Sequence, residues 1–199
     1  MNSNVQDFLK HDDYFIDEKV AFLKFTNTYK VYSGNGEQIG LVKETMPAFL
    51  KILSLLIGKA FFPFKLNIMN MDEQVLASIK RGWTLFMSKI EILDSEGTTI
   101  ALMNQKFKIL KPTFNILDVH KNLIASISGD WKAWNFTIND GSNNQIGTIT
   151  KKWAGVLKEA FTTADKYNVS INPGLGADEK KIAIVAMAIA IDMVLKESK

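Results

Sequence analysis

Four tryptophans of this 199-residue chain stand beside cations: Trp83 follows Lys80 and Arg81, Trp131 and Trp134 flank Lys132, and Trp153 follows Lys151 and Lys152. An indole next to a cation on a flexible stem suits contact with a lipid–water interface whose headgroups carry negative charge. Solvated lysines on strand faces are the plainer alternative. Arg81 is the only arginine of the chain, the residue type that grips a phosphate bidentately. A second interfacial candidate is MPAFLKILSLLIGKAFFPF, residues 46 to 64, which reads as a helix because Pro47 suits a first turn and Pro63 an exit. At about 100° per residue, Lys51, Ser54, Gly58 and Lys65 share a narrow stripe and apolar residues cover the rest. With roughly 15 helical residues it is too short to span a bilayer. It either caps an end of the core or lies among headgroups, where Lys51 and Lys59 reach anionic lipid. The candidate lipid-facing set is therefore Phe49, Lys51, Leu53, Leu56, Lys59, Lys80, Arg81, Trp83, Lys151, Lys152 and Trp153.

Covalent chemistry finds no such set. There is no cysteine, so a thiol nucleophile, a thiolate metal site and a disulfide scaffold are excluded, and two histidines, His11 and His120, cannot build a histidine-rich metal centre. No Gly-x-Ser-x-Gly elbow occurs, and His120 falls in a hairpin turn, leaving a triad without a base. Gly34-x-Gly36 lies in a hairpin, and Gly174-x-Gly176 precedes a buried helix without a βα unit, so neither is a nucleotide loop. Asp192 is the one carboxylate in a long apolar run; a pairing with a lysine or with backbone donors near the helix end is favoured over a ligand role. The expectation is a protein that is not an enzyme and has no cofactor and no metal.

Charge is equally plain. Twenty-four basic and 21 acidic residues leave +3, too little for a protein that must neutralise many phosphates, so no nucleic-acid partner is expected. Residues 1–19 carry five acids and two lysines and read as an acidic, flexible arm ahead of a single domain over 20–199. This polar start has no basic n-region and no apolar h-region, and Asn2 excludes an N-myristoyl glycine. Sequons at Asn135 and Asn168 then lack a secretory context. The expected location is cytoplasmic, with peripheral access to a membrane.

The elements that must position these residues come from one recurring pattern: an alternating strand, a polar turn, then a strand opening with an aliphatic–small pair. It appears over 31–42, 67–79, 91–102, 115–127 and 136–149. The pairs are Ile39-Gly40, Leu76-Ala77, Ile100-Ala101, Ile124-Ala125 and Ile146-Gly147, spaced 37, 24, 24 and 22 residues apart. Asn35-Gly36, Glu96-Gly97 and Asp140-Gly141 supply residues that tolerate left-handed backbone. Five hairpins at a near-constant period make an antiparallel meander. Val20 to Phe25, Trp83 to Ser88 and Tyr167 to Ile171 add strands, for about twelve, and closure into a barrel removes the edges.

The last segment, Ile182 to Leu195, is apolar on every face except at Asp192. Its 14 residues rise about 21 Å against a hydrocarbon core of about 30 Å, so it must be buried in protein instead of lipid. Ala183, Ala186 and Ala190 form a small-residue stripe for close approach of surrounding backbone. The expected fold is mainly β: a closed antiparallel barrel of about twelve strands around a hydrophobic C-terminal helix, with one inserted helix.

GDWKAWNFTI (129–138), IGTITKKWAG (146–155), EAFTTADKY (159–167) and AIAIDMVL (188–195) together resemble the phospholipid scramblase and LURP-one-related families of the Tubby C-terminal fold. The resemblance covers the chain from about Val20 onward. It implies a twelve-stranded barrel around a central helix, and association with phospholipid instead of bond-making chemistry. It also implies a comparison with the proposed calcium segment of scramblases, whose first, third and last aspartates correspond here to Thr163, Asp165 and Gly174. One carboxylate of three is a poor donor set for an ion that takes six to eight oxygens. Calcium activation is therefore not expected, and the scramblases' cysteine cluster and proline-rich extension are missing too. The leading functional expectation is a scramblase-like barrel that contacts a phospholipid membrane surface. The alternative is a soluble interaction module of the LURP-one-related type with a protein partner.

Overall fold

The computed structural model describes residues 3–19, 28–47, 49–50, 62–83, 89–106, 112–151, 166–176 and 178–197. Helix α1 (Ser3–Leu9) leads into strand β1 (Asp13–Lys19). Five hairpins follow: β2 (Thr28–Ser33) with β3 (Gln38–Glu44), β4 (Phe64–Met69) with β5 (Val75–Arg81), β6 (Ile90–Asp94) with β7 (Thr99–Lys106), β8 (Thr113–Leu117) with β9 (Leu123–Asp130), and β10 (Asn135–Asp140) with β11 (Gln145–Thr150). Strand β12 (Lys166–Ile171) precedes helix α2 (Glu179–Glu197). Each strand pairs antiparallel with its neighbours in sequence, and β1 pairs with β12, closing a twelve-stranded barrel.

The five expected hairpins are built alike. In each, the residue opening the turn (Ser33, Asn70, Asp94, Asp118 or Asp140) donates its amide to the carbonyl four residues on and accepts from the amide three residues on. That third position is left-handed: Gly36 at φ 82°, Glu73 at 60°, Gly97 at 87°, Lys121 at 67° and Asn143 at 66°. A register shift follows in every pair, so each is a three-residue turn closed by a bulge. Four openers are Asn or Asp, whose Oδ1 accepts from the amides two and four residues on at 2.8–3.1 Å. That side-chain bond fixes the turn locally, which is why the spacing repeats. Gly36 and Gly97 take the left-handed role as read from sequence. In the last hairpin Asn143 takes it in place of Gly141, because the Asp140 cap sets the count.

Alternate residues point inward, and the barrel interior is filled by α2. Ile182 through Ile191 are all 2% exposed or less, with α2 packed closest to β5, β6, β7 and β8. A barrel of about eight strands is filled by its own side chains, so one of twelve needs another body inside, and a helix about 10–12 Å across supplies it. Asp178 caps the helix, its Oδ1 accepting from the Lys180 and Lys181 amides. The Lys181 ammonium, also buried, meets Asp12 at 3.0 Å and so ties the helix entry to the start of β1.

The reading of residues 1–19 as a flexible arm outside the domain is corrected. Tyr14 and Ile16 face the interior at 0% exposure, and β1 is the strand that closes the barrel. Asp13 and Asp17 lie on the other face: Asp17 meets Lys166 at 3.4 Å, and Asp13 accepts from Asn168. Helix α1 packs Val5, Phe8 and Leu9 into the core. A Cβ on Gly40 would sit 2.5 Å from the Met69 carbonyl oxygen and 3.2 Å from the Phe8 ring, so this close approach requires glycine. The strand expected at Val20 to Phe25, and all of the strand expected at Trp83 to Ser88 beyond Trp83, lie outside the described residues, as do Ala48 and residues 51–61 of the inserted helix, while Phe64 at its expected end opens β4 instead. Twelve strands arise because β1 takes a place in the count.

The enclosed helix gives a direct test. Ala186 is fully buried on α2, and Ala186→Phe should overpack the barrel and cost about 1–3 kcal/mol. At this chain length that is a fall in Tm of roughly 2–4 °C per kcal/mol, measurable by circular dichroism.

Candidate functional site

The two ends of the barrel differ because the connections alternate. Every three-residue hairpin turn, together with α1 and the entry to α2, lies at one end, here the turn end. The other, the loop end, receives the connections 20–27, 45–63, 82–89, 107–112, 131–134 and 151–165. The described sequence candidates, Phe49, Lys80, Arg81, Trp83 and Lys151, scattered over a hundred positions, attach to this loop end. Phe49, Lys51, Leu53, Leu56 and Lys59 belong to the connection from β3 to β4; Lys80, Arg81 and Trp83 end β5; Lys151, Lys152 and Trp153 follow β11. Of these, Lys51, Leu53, Leu56, Lys59, Lys152 and Trp153 lie outside the described residues.

The described members divide into outward and inward groups. Phe49 is 68% and Trp83 65% exposed, and Lys80 is exposed on the outer face of β5. Arg81 does the opposite of what a headgroup contact requires: at 2% exposure it points into the barrel, on the parity of Ala77 and Ile79. Its Nε and one terminal nitrogen donate to the Phe62 carbonyl at 3.3 and 2.8 Å, and its guanidinium carbon lies 4.5 Å from the centre of the Phe64 ring. Phe62 in turn packs against Trp83 with ring centroids 5.0 Å apart. The arginine expected at the surface is thus the inner pin that fixes where the β3–β4 connection returns to the barrel, next to Trp83. A lysine has neither the planar fork nor the stacking face for this.

A second group lines the interior at the same end. Trp134, 7% exposed, stacks on Tyr167 at 5.3 Å and meets Phe136 edge-on at 6.0 Å, while the Lys151 ammonium lies 4.8 Å above its ring. Trp134 holds φ 50°, a left-handed conformation that costs a bulky residue about 1–2 kcal/mol, offset here by aromatic burial. Trp131 and Trp134 occupy the β9–β10 turn, with Trp134 in the core and Trp131 half-buried beneath Lys132. Deeper still, Asp192 on α2 is 1% exposed. Burial, then the Asp192 carboxylate and Tyr29, push the Tyr167 phenol well above its ordinary range, and its hydroxyl has no hydrogen-bond partner among the described residues.

Among the described residues no three His, Asp or Glu side chains are placed to share an ion. Of the calcium-like segment, Thr163 and Asp165 lie outside the described residues. Gly174 is exposed at the turn end, whereas Lys166, the residue after Asp165, starts β12 at the loop end. The strand between them spans roughly 17 Å at about 3.3 Å per residue. The residues that sequence reasoning missed are Phe62, Phe64, Tyr29 and Tyr167; the shared parity of Arg81 with Ala77 and Ile79 was the available signal for the first two.

The sequence model of the family described as Scramblase matches residues 18–198. The chain is similar to human phospholipid scramblase 1, 23% identical over 98% of this chain and 64% of that one. It is also similar to a phospholipid scramblase family protein of Schizosaccharomyces pombe, 18% identical over 99% of this chain and 57% of that one. An uncharacterised Bacillus subtilis protein, YxjI, is 25% identical over 72% of this chain and 94% of its own. The chain thus spans about three-fifths of the length of the first two relatives. The crystal structure of an Arabidopsis thaliana protein shares the fold, with TM-score 0.53, 9% identity and coverage of 94% and 91%.

Two outcomes test the interior. Arg81→Lys keeps the charge and loses the fork, so it should cost about 1–3 kcal/mol in a melting curve, the size of a buried polar group left badly satisfied. Tyr167 favours its neutral form in the folded state, so that contribution to stability is intact below about pH 10. It should be lost as pH rises from there through the raised folded-state value, and Tyr167→Phe should flatten the alkaline fall of a denaturation series.

Proposed function

Because the chain belongs to the scramblase family, whose relatives are named for phospholipid, we propose that it is a lipid-associated barrel that works at a membrane surface without covalent catalysis. Membership supports a scramblase-like, lipid-related role, in a family that is not a classical enzyme family. The observation that carries the finer reading is the loop end itself, where exposed Phe49 and Trp83 flank a cationic rim while Arg81 holds the joint beneath. Both exposed aromatics sit where the connections leave the barrel, clear of the tight turns. An indole half out of protein and next to lysine fits the interfacial zone of a bilayer.

No described helix is long and apolar enough to cross a membrane, so contact by the loop end would be peripheral on the helical count. Insertion of the 46–64 segment along the surface is part of this proposal, with Lys51 and Lys59 reaching headgroups. Calcium would not be required, because Thr163 and Gly174 replace two of the three carboxylates.

Vesicle flotation tests the reading. The wild-type chain should float with phospholipid vesicles, equally in calcium and in chelator. Trp83→Ala should lower partitioning about tenfold, or ~1.4 kcal/mol, with Tm lowered by no more than a few degrees, since the side chain is 65% exposed and loses its contact with Phe62. Leu53→Glu with Leu56→Glu should abolish flotation with the fold retained. Wild-type protein that never floats, or collapse of the double variant, would turn the reading toward a structural cap and a protein partner.

A further inference from the structure

The two ends of the barrel carry opposite charge, and we infer that the loop end docks end-on against an anionic bilayer, with the turn end directed away from it. The inference rests on the membrane-surface reading above and names the charge of the lipid and the orientation of the protein. The five three-residue hairpin turns with their opening residues hold six acids and one lysine. Among the described residues of the six connections at the loop end there are three lysines, Lys89, Lys132 and Lys151, and no acid. The small net charge of +3 therefore conceals an axial separation that topology creates, since strands of alternating direction deliver every second connection to the same end.

Among the described residues the basic rim is formed by Lys65, Lys80, Lys89 and Lys132, all exposed, with Lys151 half-buried over Trp134. Lys65 and Lys80 are register partners on the outer face of β4 and β5. Like charges directly opposite one another oppose strand pairing, so this pair makes sense where an anion shares it. Of the described acids on strands that run into this end, Asp17 pairs with Lys166, Asp130 accepts from the Lys132 and Ala133 amides, Glu91 is the other register partner of Lys80, and Glu44 is buried. At the turn end, hydrogen bonds from Asn122 hold Asp118 below its ordinary range and those from Asn144 do the same for Asp140. Both stay ionised at neutral pH.

Distance makes the separation effective. A 19-residue helix runs about 28 Å from one end to the other, more than three Debye lengths of about 8 Å at physiological salt. A charged surface facing the loop end is then attracted by its lysines with little opposition from the acids behind. The exposed Phe49 and Trp83 at the same end favour a bilayer, which offers apolar depth beneath its charge, over a purely polar polyanion.

The test compares two full-length variants of equal net charge. Lys65→Gln with Lys80→Gln changes the loop end; Lys10→Gln with Lys121→Gln removes the same two charges at the turn end. Binding is read with phosphatidylcholine vesicles with and without phosphatidylserine, over a salt series. Wild type should prefer the phosphatidylserine vesicles and weaken as salt rises. The loop-end pair should lose roughly 30-fold, at about 1 kcal/mol per lysine, with Tm unchanged or raised, and the turn-end pair should bind as wild type. Equal losses from both pairs would overturn the orientation. Equal, salt-independent binding to neutral vesicles would overturn the anionic preference while leaving the membrane reading intact, and failure of wild type on either vesicle would remove both.

Discussion

A helix that is apolar on every face has to be surrounded, and the rest of the molecule follows from how that is done. Between Ile182 and Ile191 no side chain of α2 meets water, so the enclosure must be complete around the helix axis. A closed sheet does this without leaving unpaired edges. Twelve strands give a bore too wide for side chains alone and suitable for one helix, so helix and barrel each supply what the other lacks. Closure also fixes β1, because without it β2 and β12 would present open edges to solvent.

The same meander divides the molecule into an end that is finished and an end that is available. Bulged turns capped by Asn or Asp close one end with few residues to spare. Longer connections leave the other, and variable loops on a rigid scaffold are where binding surfaces usually lie. The described candidates for lipid contact fall there, although nothing in their sequence positions says so. The scaffold supplies rigidity at that end through Trp134, which keeps an unfavourable backbone angle because Tyr167, Phe136 and Lys151 surround it.

Arg81 shows how type and position separate structural cations from surface ones. The chain uses lysine at every other basic position, and the lysines at the loop-end rim are exposed or half-buried. Its single arginine is instead buried, donating from two nitrogens to one carbonyl while lying on Phe64. A guanidinium is the less strongly hydrated cation and carries its donors in a plane, so it tolerates that site where an ammonium would not.

Local chemistry was legible in the sequence: five hairpins, their period, the inward small residue of each aliphatic–small pair and the enclosed helix all follow from side-chain alternation and turn caps within a few residues. Motif resemblance supplied the family. The strand β1 was not legible, since only Tyr14 and Ile16 mark its inner face among acids, and its partner strand β12 lies some 150 residues away. Nor was the fate of Arg81 read correctly: it depends on which face of β5 the closed barrel turns inward. The gathering of Phe49, Lys80, Trp83 and Lys151 at one end was decided by tertiary structure alone. Pairing each strand antiparallel with the next sends alternate connections to opposite ends, and only closure of the sheet makes those ends into two surfaces of opposite charge.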